Sequence, residues 1–312
     1  MDARPLAQQD RDAGARSATP DFLVLILDLN PFAWLKNGAS QDATAAFNTI
    51  KAALTTILVF LNAHTSMHHG NGIAVYGATN SNAELLYTTA TYTSPAAAKK
   101  DTDVSACLPF EKVDNAVFHG VRRMLAASCE KDDYTSNIVS IVRALSLALC
   151  HINRMAEMLQ PGERHGLASS TLDTNGPLRR NDDSANSDAF RYRILIISVT
   201  PDASTQYVPM MNCIFCAQKM SIPIDVCHLF GDDTVFLRQA CHLTSGHYCR
   251  LETLDGLLQV LMTVYLPSRS IRQLLMFPAE DDVDYRAACF CHRRVVDVGY
   301  ICSVCLSSAS VC

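Results

Sequence analysis

The chain has 312 residues, 49% of them hydrophobic and 18% charged; at roughly 150 residues per domain this fits one α/β domain with a small appendage and excludes global disorder. A formal net charge of −5 argues against a surface that attracts nucleic acid as a whole, leaving only a local basic patch as an option. Residues 1–20 are polar and flexible in character with no apolar h-region, and no apolar run reaches the roughly 18 to 20 residues of a membrane span, so neither an export signal nor a membrane anchor is expected.

The first structured element is Phe22 to Asn30, FLVLILDLN, in which six consecutive apolar residues run up to Asp28 and then meet Pro31. With no polar alternation it reads as a strand buried on both faces, the kind a parallel sheet between helices requires. Asp28 then falls at the carboxyl end of that strand, where open α/β sheets place their ligand sites. Residues FAWLKNGASQD read as a loop. Phe47, Ile50, Leu54, Ile57, Leu58 and Leu61 recur at helical spacing, with Asp42 as N-cap and the stretch His64 to Gly72 as a solvated terminus. GIAVYGAT from Gly72 and ELLYTT from Glu84 are two strands so close in sequence that they form a hairpin, which makes part of the sheet antiparallel.

After an irregular connection, Val113, Val117, Val121 and Leu125 mark one helix. Ile138, Ile141, Val142, Leu145, Leu149, Ile152 and Leu159 mark another, opening near Thr135 or Ser136 and expected to be the longest. Residues 161–190 have almost no aliphatic content and read as a surface insertion. RILIISVT from Arg193 is a second fully buried strand, leading to Asp202. A helix through Met210, Met211, Ile214 and Phe215 follows, then the strand IPIDVCHLF and the helix DTVFLRQACHL with Asp232 or Asp233 as cap. A short strand at HYCRL and a helix through Leu254 to Val264 close the domain near Pro267. Strands alternating with amphipathic helices define an α/β fold with a doubly wound, mostly parallel sheet. This domain spans residues 21–277. From Pro278 the chain turns acidic and then cysteine-rich, marking 278–312 as a separate small module.

Five of the thirteen cysteines fall within 289–312. In a chain with a sizeable core and no export signal that clustering suits metal in a reducing, intracellular setting better than disulfides. Cys289-x-Cys291, ten residues, then Cys302-x-x-Cys305 can turn four thiolates toward one tetrahedral Zn²⁺, and a module this small needs such a staple. His292 or Cys312 could replace a member of the tighter first pair. With Cys312 the last residue, a second zinc site would be incomplete in this chain. Cys213-x-x-Cys216 lies in a predicted helix among apolar neighbours and reads as a core pair. Cys241, His242, His247 and Cys249 straddle a helix end and a strand, so their side chains need not converge. His64, His68 and His69 read as the solvated end of a helix.

At the carboxyl edge of the sheet, Asp28 and Asp202 end neighbouring strands and Thr135 or Ser136 opens a nearby helix, a donor set of the hard-oxygen type that suits Mg²⁺. Phe32, however, offers no oxygen ligand. No glycine-rich turn follows the first strand, no GxxxxGK[ST] exists, and no G-x-S-x-G elbow is present, which removes the usual dinucleotide, phosphate-loop and hydrolase readings. A cysteine enzyme without a local signature stays as a minor alternative.

A strand ending Asp28-x-Asn30-x-Phe32, an adjacent hairpin, and a later strand ending Thr200-Pro201-Asp202 resemble the von Willebrand factor A domain. Its metal-dependent adhesion site uses Asp-x-Ser-x-Ser, a Thr and a second Asp; Asp28, Thr135 and Asp202 match, Asn30 matches in part, and Phe32 departs, so the resemblance implies a degenerate site. Joined to CFCH…GYICSVC, the whole resembles the family of small von Willebrand-type, zinc-binding subunits of TFIIH, the general transcription and DNA repair factor, over about residues 22–312. The resemblance implies a nuclear, non-catalytic core subunit. Such a subunit pairs with the larger von Willebrand-type zinc-binding subunit, contacts other core subunits including the helicases, and acts in RNA polymerase II initiation and nucleotide excision repair. Neither sequence-specific nucleic-acid binding nor a membrane is expected. A metal-dependent ligand-binding module is the alternative.

Overall fold

The computed structural model describes residues 19–37, 43–68, 70–80, 82–90, 108–130, 140–159, 190–202, 206–231, 234–272, 274–276, 298–301 and 308–309. Six strands form one sheet: β1 (Asp21–Asp28), β2 (Gly72–Ala78), β3 (Ala83–Thr88), β4 (Arg191–Ser198), β5 (Ile224–Leu229) and β6 (Tyr248–Leu251), in the order β3-β2-β1-β4-β5-β6. Strand β1 is central and pairs in parallel with β2 and β4. β4, β5 and β6 continue in parallel, and β3 closes one edge antiparallel to β2, as the short GIAVYGAT to ELLYTT connection required.

The run FLVLIL has no polar alternation because both faces of β1 are covered. Phe22, Val24 and Ile26 enter one core layer under helices α4 (Ile141–Leu159), α5 (Tyr207–Lys219) and α6 (Val235–Thr244). Leu23, Leu25 and Leu27 enter the other, under α2 (Ala43–Met67), α3 (Leu108–Glu130) and the C-terminal helical segment. This is the doubly wound arrangement expected, with each hydrophobic layer closed by helices.

Several expectations are corrected. FAWLKNGASQD is not all loop: Pro31–Asn37 is helix α1, with proline at the first helical position, where its missing N–H is no loss. It buries Trp34 against Phe230. The longest described helix is α2 with 25 residues, not α4 with 19. The helix expected through Leu254 to Val264 is present in three consecutive segments, and one short helix follows Pro267. A 3₁₀ turn (Leu254–Gly256), α7 (Leu257–Val260), a π-helical turn (Leu261–Tyr265) and α8 (Arg269–Arg272) follow β6. His64 is no solvated terminus, since it is 1% exposed at the amino edge of the sheet. Cys213 is core as expected, but Cys216 is exposed.

Asp42, Thr135, Ser136, Asp232, Asp233, all of the insertion 161–190 except Phe190, and Cys289, Cys291, His292, Cys302, Cys305 and Cys312 lie outside the described residues; Phe190 is not free surface, since it packs against Phe22 and Tyr192. Two short antiparallel strands, β7 (Tyr300–Ile301) and β8 (Ser308–Ala309), bracket the Cys302-x-x-Cys305 stretch in the sequence. Among the described residues no helix is long and apolar enough to cross a membrane.

Candidate functional site

The carboxyl edge of the sheet between β1 and β4 is the switch point, where the chain leaves one strand for one face and its neighbour for the other. Asp28 stands there, 2% exposed. Its Oδ1 accepts the N–H of Asn30 at 3.0 Å, and its Oδ2 accepts those of Val199 at 3.0 Å and Thr200 at 2.8 Å. The Thr200 hydroxyl also bonds to this carboxylate. A carboxylate offers about four lone-pair positions, so Asp28 has its acceptor capacity taken by its own chain. Burial pushes its pKa up, and the hydrogen bonds from Val199, Thr200 and Asn30 pull against that shift without cancelling it.

Asn30 and the loop after β4 complete the lock. Asn30 Nδ2 donates to Thr200 Oγ1 at 3.2 Å, and Asn30 Oδ1 accepts the Phe32 N–H at 3.1 Å. The second bond is a local side-chain-to-backbone turn that opens α1. Trp34 Nε1 donates to the Asp28 carbonyl at 3.0 Å. The polar groups that resemble an adhesion site thus hold two loops together.

Asp202 is placed differently. Its Oδ2 accepts the Phe236 N–H at 2.8 Å, and the Val235 N–H also bonds to it. These are the first amides of α6, whose own N-cap Thr234 makes no side-chain cap bond. A carboxylate from the loop after β4 thus caps this helix, while Asp232 and Asp233, the expected caps, lie outside the described residues. Burial raises the Asp202 pKa to about 6. Beside it lies a cleft of about 20 Å³ lined by Thr200, Pro201, Asp202, Gln206, Met210 and Phe236 among others, room for one water.

Sequence reasoning missed the polar cluster at the opposite, amino edge. Arg272 NH1 reaches both Asp225 oxygens at 3.0 and 2.7 Å, its Nε donates to the Pro267 carbonyl at 3.0 Å, and NH2 donates to the Tyr265 carbonyl at 3.0 Å. Arg193 also donates to the Tyr265 carbonyl, and its NH2 lies 3.3 Å from His64 Nδ1. Although burial alone would raise it, the Asp225 pKa is held down to about 2 by Arg272, His247 and Arg193. Burial, with Arg193 beside it, lowers His64 to about 3. A charged residue inside an apolar run, Arg193 in RYRILIIS, was the available signal, because a buried cation demands partners.

Cys241, His242, His247 and Cys249 do not gather; Cys241 Sγ bonds to the His247 carbonyl. Among the described residues no three His, Cys, Asp or Glu side chains are placed to hold a metal ion.

Fold and edge define a doubly wound α/β domain whose switch-point carboxylate is saturated by its own loops. The sequence profile of the family described as Transcription factor Tfb4 matches residues 20–312, and the chain belongs to that family. It is 37% identical over 290 residues to the "General transcription and DNA repair factor IIH subunit tfb4" of Schizosaccharomyces pombe, covering 93% of this chain and 84% of that one. It is 30% identical over 295 residues to the corresponding TFB4 subunit of Arabidopsis thaliana, covering 92% and 83%. Among solved structures it is similar to the TFIIH p34 N-terminal domain, with a TM-score of 0.56, 28% identity, and coverage of 78% of this chain and 97% of that domain.

Proposed function

We propose that this chain is the Tfb4-type, or p34, subunit of the general transcription and DNA repair factor IIH. In this reading it is a non-catalytic structural part of the core complex in the nucleus. The observation that carries the reading is the family match over residues 20–312, which takes in both the sheet domain and the cysteine-rich segment. The saturated Asp28 supports a domain of von Willebrand A type that has exchanged metal ligation for loop closure. The chain acts through protein contacts in RNA polymerase II initiation and nucleotide excision repair, pairing with the larger von Willebrand-type zinc-binding subunit and lying in one complex with the helicases.

Cys289, Cys291, Cys302 and Cys305 hold one Zn²⁺ in this reading, with His292 and Cys312 as alternates. The donor set fits, since thiolates are zinc's preferred ligands and the paired strands β7 and β8 flank the second knuckle on both sides. The zinc supplies folding energy to a segment too short to bury a core.

The test is affinity purification of the tagged full chain from nuclei followed by mass spectrometry and zinc analysis. The other subunits of factor IIH should be recovered with about one equivalent of zinc or more per chain, one complete four-ligand site being the minimum. Cys302→Ser should lower the zinc content and weaken assembly while leaving the sheet domain's melting unchanged. A chain that purifies alone overturns the assignment, and full zinc in Cys302→Ser overturns the ligand set.

A further inference from the structure

We propose that Cys227 and Cys249, opposite one another on β5 and β6, are a reversible thiol–disulfide site that staples the edge strand β6 to the sheet when the chain meets hydrogen peroxide.

The sheet itself brings the two thiols together. β5 and β6 run parallel with Cys227 directly opposite Cys249, and residues paired in this way project to the same face. Both side chains accordingly meet the same core layer, Cys227 within it and Cys249 packed against it. Neighbouring strands lie about 4.8 Å apart, inside the range of about 4.4 to 6.8 Å that separates the Cα atoms of a disulfide. The register is fastened on both sides of the pair. His247 N–H donates to Asp225 Oδ1 at 2.9 Å and Val226 N–H to the His247 carbonyl at 2.9 Å, while Phe230 N–H donates to the Leu251 carbonyl at 2.7 Å. Asp225 is in turn clasped by Arg272. β6 has only four residues and is paired on one side alone, so it is the strand that can draw in to bring the Cβ atoms to bonding range. Cys241, the next cysteine in the chain, lies in the opposite core layer with its Sγ on the His247 carbonyl.

Exposure assigns the two roles. Cys227 is 0% exposed, whereas Cys249 stands partly exposed on the edge strand, so a small oxidant reaches Cys249 first. Its sulfur attacks one peroxide oxygen, the O–O bond breaks, and water leaves as Cys249 becomes a sulfenic acid. The Cys227 sulfur then attacks Cys249 Sγ, the S–O bond breaks, and a second water carries away the oxygen with the Cys227 proton. Two thiols are oxidised and one peroxide is reduced to two waters; an external thiol reverses the bond by exchange. Burial raises both thiols, and Cys249 close by adds to the rise at Cys227. The thiolate is the nucleophile, so closure is slow and answers sustained oxidant. In a reducing compartment such a pair rests open.

The experiment adds hydrogen peroxide to the reduced, folded full chain, alkylates the remaining thiols, and reads unreduced digests by mass spectrometry, with hydrogen exchange before and after. The linked Cys227–Cys249 peptides should exceed every other pairing of either cysteine by about tenfold or more, β6 amides should exchange about tenfold more slowly, and dithiothreitol should reverse both. Cys249→Ser alters a partly exposed group and should leave Cys227 a free thiol under the same oxidant. Cys227→Ala should strand Cys249 as a sulfenic acid that dimedone captures. Peptides of 289–312 are scored separately, so oxidation there leaves the result intact. Cys249 passing to sulfinic acid beside an intact Cys227 thiol overturns the proposal, as does a linked pair found only after unfolding in urea. Unaltered β6 exchange in the linked chain overturns the staple.

Discussion

Replacing Asp28 with alanine should destabilise the domain by about 2 to 5 kcal/mol without affecting any metal-dependent behaviour. The substitution leaves the amides of Asn30, Val199 and Thr200 without their acceptor. An unsatisfied buried donor costs about 1 to 3 kcal/mol, so three would reach well above the expected range if the losses simply added. Two effects reduce the sum. Burial raises the Asp28 pKa, so removing the carboxyl also relieves a desolvation penalty. The adjacent water-sized cleft, which Thr200 lines, allows a solvent molecule to reach part of the gap. Asp28→Asn should cost roughly half as much, because one oxygen can still accept from Val199 and Thr200 while the new amide opposes the Asn30 N–H. Urea unfolding of the three proteins at pH 7, with the slope checked for constancy, measures this directly. A loss below about 1 kcal/mol for alanine would refute the reasoning, since the carboxylate would then not be holding the loops. So would a one-to-one Mg²⁺ or Mn²⁺ site of micromolar affinity in calorimetry of the unaltered chain.

Two groups should oppose one another in pH titrations of stability. Asp202, raised to about 6, contributes stability that is full below its unfolded value of about 3.9 and is lost as pH rises through 6. His64, lowered to about 3, contributes stability that is full above about 6.5 and is lost as pH falls through 3. Asp202→Asn should therefore lose up to about 1 kcal/mol per pH unit more than the unaltered chain on acidification from pH 6 to 4, and parallel stability curves would contradict this. Gly246→Ala should cost at least about 3 kcal/mol, because an added Cβ would lie 1.9 Å from the Ile224 carbonyl oxygen, where backbone and not a flexible side chain must yield. A melting temperature unchanged in that variant would show that the turn after α6 can relax. Replacing residues 161–189 with a short Gly/Ser linker, which spares the core-packed Phe190, should leave thermal unfolding nearly unaltered, and a loss above about 2 kcal/mol would mean the segment docks.

The legible parts of this sequence were those where a single element carries its own signal. FLVLIL announced a strand covered on both faces, and the brief link between GIAVYGA and ELLYT announced a hairpin. Illegible were interactions whose partners are far apart in the chain. Asp202 capping α6 requires knowing that the loop after β4 lies against the start of that helix, which no local pattern encodes. FAWLKN looked like a loop because Pro31 follows an apolar run. The Asn30 side chain and proline at the first helical position in fact start a helix there. Cys213 and Cys216 share a motif but not a fate, because residues three apart on α5 straddle the boundary between core and solvent. His64 was read from its neighbours His68 and His69, yet it faces a buried arginine 129 residues away.

Both edges of the sheet are closed by the chain's own polar groups, and they are closed by different chemistry. At the carboxyl edge, backbone amides neutralise one carboxylate without any second charge. At the amino edge, two guanidinium groups gather around one carboxylate and the two backbone carbonyls of Tyr265 and Pro267. Such a buried cluster adds little net stability over an apolar replacement, but removing one member is costly, so its contribution is to geometry. Among the described residues, these two clusters leave few free ligands for a metal. Among the described residues, large apolar side chains are also exposed, Phe47, Phe215, Leu274 and Met276 among them. Exposed apolar side chains of this kind are what a subunit held in an assembly can offer its partners.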